Sequence, residues 1–211
     1  MGTKERRERE REKLRALILD AAREMFVERG YEGVSMRKIA EKIEYSPTAI
    51  YQHFKDKDAL VREICREDSQ KLTEELKSSG AVEDPMERLM ACGMAYARFA
   101  VENPNHYKML FLSQLPAAAY EGDVAEFGKG EPEMDGYALL RQQVGALAPE
   151  AFRYPGMDPD LVAQTLWAGV HGVVSLEVTQ CLQGWVDWHP LEERVRTMLG
   201  AMAAGLFREV R

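Results

Sequence analysis

The sequence predicts an all-α fold, because helical signals run through most of its 211 residues. Apolar side chains recur at intervals of three and four residues, as they do on one face of an amphipathic helix. Serine, aspartate or proline stands where helices should begin. No stretch of any length alternates apolar and polar residues as a half-buried strand does. The expected architecture is an N-terminal three-helix unit followed by a longer helical region.

The first 60 residues carry clear helix boundaries. A first amphipathic helix should stop at Gly30, because glycine takes the left-handed conformation that often follows a helix. Ser35 is placed to cap a second helix. Ser46 followed by Pro47 should start a third, since proline suits the first helical position. Asp56 should cap a fourth helix.

Two short helices braced by a longer one form a helix-turn-helix unit. The second of the two, here residues 46–53, would lie in the major groove of DNA with its N-terminal residues at base edges. Ile50 and Phe54 should turn inward. The outward face is then Pro47, Thr48, Tyr51 and Gln52. We therefore expect a DNA-binding domain over residues 1–56 and a helical effector-binding and dimerisation domain over residues 57–211.

Charge is distributed unevenly along the chain. The net charge is −7, yet residues 1–60 carry 14 basic and 12 acidic side chains, so the acidic excess lies in the remainder. This asymmetry suits a small DNA-binding head on an acidic body. Residues 4–13 alternate acid and base. They predict a solvated helical extension, with a flexible arm that touches DNA as the alternative.

Composition and motifs narrow the function classes. No apolar run reaches the length of about 18 residues that a membrane span needs, and no signal segment follows Met1, so a cytoplasmic protein without membrane contact is expected. Cys65, Cys92 and Cys181 are odd in number and far apart, which predicts reduced thiols. Metalloenzyme, phosphate-loop and nucleophile-elbow motifs are missing, so we predict no catalytic residue, metal or cofactor. A helical ligand carrier or enzyme without DNA binding remains the alternative.

The longer region predicts helices over residues 85–102, 104–115, 134–147, 159–182 and 190–210, with a mobile loop over 116–132. Aromatic and sulfur side chains among the middle helices suit a mainly hydrophobic small-molecule effector, although core packing is the favoured explanation for most of them. The effector candidates are Met94, Phe99, Tyr107, Phe111, Tyr137, Leu140, Trp167 and His171. The last two helices carry apolar and small residues that predict a homodimer. Its two heads should bind half-sites about 34–36 Å apart on double-stranded operator DNA.

Three stretches resemble the DNA-binding domain of the TetR family of transcriptional regulators: residues 30–40, residues 45–54 with the ending Tyr51-Gln52-His53-Phe54, and residues 57–60. Glu44 departs from the family pattern, which usually has glycine there, and Pro47 replaces a position that is often polar. The resemblance implies a repressor that an effector releases from a palindromic operator. With the helix positions above, the DNA-contacting candidates are Ser35, Arg37, Ser46, Pro47, Thr48, Tyr51, Gln52, His53 and Lys57.

A second, weaker resemblance covers residues 167–172, which read Trp167-Ala168-Gly169-Val170-His171-Gly172. This run is similar to a variant sensor domain of the same family that carries a Trp–His–Gly signature. The resemblance implies an effector pocket among the middle helices and a dimer interface made by the last two.

Overall fold

The computed structural model describes residues 3–117, 128–180 and 184–208. These residues form helices α1 (Thr3–Arg29), α2 (Met36–Lys42), α3 (Pro47–Tyr51), α4 (Lys57–Lys77), α5 (Pro85–Glu102), α6 (Pro104–Phe111), α7 (Gly136–Gly145), α8 (Pro159–Thr179) and α9 (Leu191–Leu206). Short 3-10 turns occupy Ser78–Ala81 and Pro149–Ala151. In this part of the chain the only β-type pairing is an isolated antiparallel bridge between Phe152 and Phe207. The all-α prediction is confirmed.

Contacts divide the chain into two compact units. The first, called the head unit, comprises Met1–Asp68 and Asn105–Phe127, and the second, called the body unit, comprises Ser69–Pro104 and Gly128–Arg211. Helix α4 therefore gives its first part to the head unit and its last part to the body unit. The predicted domain boundary between residues 56 and 57 is placed at the end of the helix-turn-helix motif. The contacts define a different division, so that boundary stays a prediction.

The head unit is built around a buried apolar cluster. One face of α1 supplies Ile18, Ala22, Met25 and Phe26, and α2 to α4 close over it with Ile39, Ala40, Ile50, Phe54, Leu60 and Ile64. The predicted inward direction of Ile50 and Phe54 is thus observed. Gly30 has φ +68°, and its N–H donates to the Phe26 carbonyl, so it ends α1 as expected. Residues 4–13 continue α1 as an exposed helix, with Arg6 3.6 Å from Glu10.

Local caps explain where most helices begin. Asp56, Asp84, Asp135 and Asp158 each accept a hydrogen bond from a backbone N–H in the first turn of the next helix. Several helices end earlier than predicted: α3 at Tyr51, α6 at Phe111 and α9 at Leu206. In the last case Phe207 leaves the helix and packs against Phe152, with 5.6 Å between the centres of the two tilted rings. Most of the predicted loop over 116–132 lies outside the described residues, as does Cys181.

The last two helices of the body unit approach each other at a glycine. A Cβ on Gly169 would collide with the sulfur atoms of Met198 and Met202, so glycine permits this contact between α8 and α9. Gly172 is different, because apart from its chain neighbours and the backbone of its own helix no described atom lies within 4 Å of the place its Cβ would take. Within the described part of the chain, α8 is the one helix long and apolar enough to cross a membrane. Only 28% of that apolar stretch is buried.

Candidate functional site

The turn between α2 and α3 holds the one described non-glycine residue with positive φ. Glu44 has φ +60°, and the next N–H, that of Tyr45, donates to the Ala40 carbonyl at 3.0 Å. Left-handed backbone costs an L-residue about 1–2 kcal/mol relative to the right-handed region. The sequence has Glu44 where the family usually has glycine. The turn nevertheless keeps the left-handed backbone that glycine favours, and it carries an exposed carboxylate.

Helix α3 presents the predicted outward face. The Ser46 Oγ accepts a hydrogen bond from the Ala49 N–H at 3.3 Å, which starts the helix together with Pro47. Thr48 and Gln52 are exposed, and 54% of Tyr51 is accessible to solvent. An exposed tyrosine on a short helix places an aromatic ring and a hydroxyl where a ligand can reach both.

Two further DNA-contact candidates, Ser35 and Arg37, lie at the start of α2. The cations of this helix already have hydrogen-bond partners within the protein. The Ser35 Oγ caps the helix by accepting from the Lys38 N–H at 3.3 Å. Arg37 is exposed, and its Nε donates to the Glu41 carboxylate at 3.0 Å. Lys38 Nζ donates to the Gly33 carbonyl at 2.9 Å. A phosphate that binds here must compete with these internal acceptors.

Lys57 is more deeply engaged than its sequence position suggested. Its ammonium donates to the carbonyls of Tyr31 and Val34 at 3.0 and 3.2 Å and lies 3.6 Å from the centre of the Tyr31 ring. The Tyr31 hydroxyl in turn donates to Asp58, and burial together with this contact raises the pKa of Tyr31. Lys57 thus fixes the loop after α1 onto α4. Its contact with DNA remains a prediction.

His53 follows α3 and is the last DNA-contact candidate of that segment. Its side chain is partly exposed and partly packed against the core. It is half-buried beside Phe54, with 6.3 Å between ring centres. Burial lowers its pKa, and the positive charges of Arg11 and Arg15 lower it further. Both effects disfavour the charged imidazolium in the protein without DNA.

The effector candidates fall into both units. Tyr107 and Phe111 belong to the head unit, where their rings lie 5.2 Å apart and Tyr107 is fully buried. In the body unit the Tyr137 ring lies 5.8 Å from Trp167, which lies 6.4 Å from His171. The structure therefore brings three of the eight candidates together across α7 and α8.

His171 has a partner that the sequence did not indicate. The Tyr96 hydroxyl on α5 lies 3.1 Å from His171 Nδ1, across 75 residues of sequence. Burial lowers the pKa of His171. The polar group predicted for the pocket wall is thus an imidazole held by the buried Tyr96. Only its helical spacing from Trp167 was visible in the sequence.

A cavity of about 550 Å³ opens in the body unit between α5, the 3-10 turn after α4, and α9. It is lined by Ser78, Ser79, Val82, Glu87, Met90, Ala91, Met94, Arg98 and Arg196. Met94 is the one predicted effector residue among them. Gln143 donates to the Ser79 hydroxyl at 3.0 Å, and its buried carbonyl oxygen makes no hydrogen bond within the described chain. The site is open to solvent, and its lining mixes charged side chains with apolar ones.

A buried ion cluster in the head unit was also missed by the sequence reasoning. Asp68 is fully buried on α4, and Arg23 on α1 donates to both of its carboxylate oxygens at 3.0 and 3.1 Å. His106 Nδ1 on α6 lies 2.8 Å from the same carboxylate. Charged residues are rarely fully buried unless paired, so this cluster ties three helices together. In the described residues no group of three or more His, Cys, Asp or Glu side chains could hold a metal.

Comparison with known proteins agrees with this geometry. The family model for bacterial regulatory proteins of the tetR family matches residues 18–64, and that for the tetracyclin repressor-like C-terminal domain matches residues 89–202. The HTH-type transcriptional repressor AcnR of Corynebacterium diphtheriae is 41% identical over 66 residues, 31% of this chain and 35% of that protein. The repressor Rv1474c of Mycobacterium tuberculosis is 38% identical over 68 residues, 32% of this chain and 36% of that protein. The chain thus matches about a third of the length of these curated relatives.

Solved structures match nearly the whole chain. NalD, the secondary repressor of the MexAB-OprM multidrug efflux pump in Pseudomonas aeruginosa, has a TM-score of 0.71 at 22% identity, covering 94% of this chain and 98% of that one. At this identity the likeness shows a shared fold. The Trp–His–Gly sensor variant stays a prediction, since the C-terminal match carries a different description. Because that C-terminal match alone spans more than half of the residues, the chain belongs to the TetR family of bacterial regulatory proteins.

Proposed function

We propose that this protein is a dimeric transcriptional repressor that binds operator DNA through the head unit and leaves it when a small molecule binds the body unit. The observation that carries the proposal is the exposed face of α3, which a serine cap, a proline and two buried apolar residues hold outward. The repressor names of the relatives that match this part of the chain support it. A protein with this role works in the cytoplasm, where its DNA is.

The polar surface of α3 suits reading of the major groove. Thr48 and Gln52 can hydrogen-bond to base edges, and Tyr51 can contact a base or a phosphate. Ser35 and Arg37 lie at the start of α2, where contacts to the DNA backbone set register without reading sequence. Each good base contact should contribute about 1–3 kcal/mol of discrimination between sequences.

The outer face of α8 supports a homodimer. Five of its exposed positions follow helical spacing and carry no charge: Leu161, Gln164, Ala168, Gly172 and Leu176. On α9 the exposed residues after the first turns are small: Thr197, Gly200, Ala201, Ala204 and Gly205. Small uncharged residues allow two helix pairs to approach closely, and burial of this surface supplies a driving force. A dimer would place two copies of α3 on one operator.

The effector part of the proposal is supported by the cavity and the aromatic contacts of the body unit. Half-buried Met90 and Met94 give one wall of the cavity a surface that adapts to different apolar shapes. A mainly hydrophobic effector that binds one conformation better shifts the population toward it, and only such differential affinity can release DNA. Thermal unfolding with decanol as an apolar probe tests the site: binding should raise the melting temperature, and Met94→Trp should reduce that rise by filling the space.

The DNA-binding proposal is tested by gel shift and footprinting on DNA upstream of the protein's own coding sequence. Tyr51→Ala should weaken binding at least about fivefold, as loss of a contact worth over 1 kcal/mol implies. Tyr154→Ala is the matched control, because Tyr154 is a similarly exposed tyrosine, 61% accessible, in the body unit. Affinity should fall steeply with salt, with a slope of about 0.9 for each phosphate contact.

Two results would contradict the proposal. If no shift appears even at low salt, the alternative of a helical ligand-binding protein or enzyme without DNA function gains support. If the two tyrosine variants weaken binding equally, the reading face does not lie on α3.

A further inference from the structure

The exposed start of α1 alternates its charges in sequence but separates them in space. Residues 4–13 are all exposed on one continuous helix. At about 3.6 residues per turn, positions three, four and seven apart fall on the same side of a helix. The basic side chains therefore form two rows on nearly opposite sides: a first row of Lys4, Arg7 and Arg11, and a second row of Arg6, Arg9 and Lys13. Most of the acidic side chains lie on one flank between the rows: Glu5, Glu8 and Glu12.

The first row continues into the head unit through Arg15, about one turn after Arg11. The Arg15 guanidinium lies over the Phe54 ring, 5.7 Å from its centre. It also donates to two carboxylates of α4, those of Glu63 and Glu67. These contacts fix the rotation of α1 about its axis, because a helical side chain reaches only the neighbours on its own side. The first row therefore leaves the head unit on the side where Phe54 follows α3.

The end of the candidate DNA face lies close to the first row. Burial lowers the pKa of His53, and the positive charges of Arg11 and Arg15 lower it further, which requires both cations to be near the imidazole. From Leu14 the exposed helix extends on the order of 15 Å away from the core, at about 1.5 Å per residue. Phosphates follow each other about every 3.4 Å along one DNA strand, so a row of this length can meet more than one of them.

The cations of the first row are available to a ligand. Within the part of the chain that the structure describes, none of the three forms an ion pair. The second row differs, because Arg6 lies 3.6 Å from the Glu10 carboxylate and Arg9 donates through Nε to the Glu5 carbonyl at 3.4 Å. A phosphate that binds the first row therefore displaces no internal acceptor, whereas a phosphate at the second row must compete with one.

We propose that the first row, Lys4, Arg7 and Arg11, binds DNA phosphates next to the bases that α3 reads, and that the second row does not contact the operator. A helix extension that is only solvated needs no such separation, since charge pairs on any side would support it. The proposal rests on the proposed repressor function, because it needs DNA on the α3 face. It deepens that function by assigning part of the affinity to residues outside the stretches that carry the family resemblance.

Salt-dependent binding to the duplex that the footprint identifies tests the two rows against each other. Arg7→Gln/Arg11→Gln removes two charges from the first row, and Arg6→Gln/Arg9→Gln removes two from the second. The first variant should lower the slope of log affinity against log salt by about 1.8 for each bound head, because each phosphate contact contributes about 0.9. Its affinity at about 0.1 M salt should fall at least about tenfold. The second variant is the matched control and should keep the wild-type slope.

Two further measurements separate a phosphate contact from other effects. Arg7→Lys/Arg11→Lys keeps both charges and should retain the wild-type slope, since lysine also neutralises phosphates. Phosphate contacts carry no sequence information. The ratio of affinities for the operator and for an operator with one changed base pair should therefore be the same in the wild type and in Arg7→Gln/Arg11→Gln. Urea midpoints should not change in either glutamine variant, because all four side chains are exposed.

The outcomes are distinct from those of the proposed function. A wild-type protein that shifts no upstream DNA overturns the repressor proposal and the role of the first row with it. If the wild-type protein binds DNA and the two glutamine variants lose slope equally, or neither loses any, the role of the first row alone is overturned. A changed sequence ratio in Arg7→Gln/Arg11→Gln overturns the assignment to phosphates, because it shows a contact to bases.

Discussion

The head and body units differ in the polarity of their exposed helix faces. In the head unit most large apolar side chains are inside, although Leu17 is 44% exposed on α1, and the exposed face of α3 carries hydroxyl, amide and phenol groups. In the body unit α8 leaves Leu161 60% exposed and Leu176 42% exposed on an uncharged face. A polar face suits hydrated, charged DNA, whereas an apolar face is stable in water only when another surface covers it. The uncharged face of α8 is therefore the surface on which the proposed homodimer depends.

The largest effect on the stability of the head unit should come from removing its buried ion pair between Arg23 and Asp68. Asp68→Ala leaves Arg23 buried without its forked partner, so we expect unfolding free energy to fall by about 3–5 kcal/mol. Asp20→Ala removes the other, mostly exposed partner of the same arginine and should cost less than about 1 kcal/mol. Urea denaturation at pH 7 measures both. Equal losses would mean that burial does not set the value of these contacts.

A charge on the exposed face of α8 should weaken dimerisation of the body unit before it affects folding. Ala168→Arg places a charge in the middle of the uncharged face of α8, where burial against a second copy costs several kcal/mol. We expect the dimer dissociation constant to rise at least about 100-fold. Light scattering after size exclusion measures the mass. Val101→Arg, at an exposed apolar position on α5, should leave the dimer intact. A dimer of unchanged stability in the α8 variant would place the interface elsewhere.

The turn at Glu44 tests the head at a finer level. Glu44→Gly relieves the left-handed strain and should raise unfolding free energy by about 1 kcal/mol. Glu44→Gln keeps the strain and removes the charge. Both variants should bind DNA a few-fold tighter at low salt, because a carboxylate near phosphates is lost. Denaturation and salt-dependent gel shifts separate the two contributions. Stability equal in both variants would show that the turn is unstrained.

The smallest expected effect is a pH dependence of the body unit. Burial lowers the pKa of His171, so the unfolded chain takes up a proton at higher pH than the folded chain does. Stability should therefore be full above the unfolded value of about 6.5 and fall as pH decreases through the folded pKa. His171→Gln should flatten this decline in urea midpoints between pH 7.5 and 5. His189→Gln, an exposed histidine, serves as control, and an unchanged slope in the first variant would assign the decline to other groups.

The sequence predicted the local features well because their causes are local. Ser35, Ser46 and Asp56 cap helices through backbone groups two or three residues away, so short motifs report them. The inward turn of Ile50 and Phe54 follows from helical spacing alone. These helix caps and buried positions determine the helix boundaries and the residues that α3 exposes.

Features that depend on distant residues were not visible in the sequence. Lys57 has the position of a DNA contact, yet its ammonium binds carbonyls contributed by the loop after α1. His106 meets Asp68 across 38 residues, and no spacing rule connects them. The cavity depends on how α5 and α9 pack, and it includes Met94 but not the other candidates. Sequence patterns identify helix faces, whereas partners across the core require coordinates.

The pairing of Arg37 with Glu41 has a consequence for how long the protein stays on its operator. Glu41 occupies the guanidinium in the free protein much as a phosphate would on DNA, so the carboxylate acts as an internal competitor. Binding then gains only the difference between two ionic contacts, and exposed ion pairs are worth about 0–1 kcal/mol. Part of this difference can enter the dissociation rate, because Glu41 rebinds the arginine when the phosphate contact opens. We expect a short residence time that lets promoter occupancy follow changes in repressor concentration quickly.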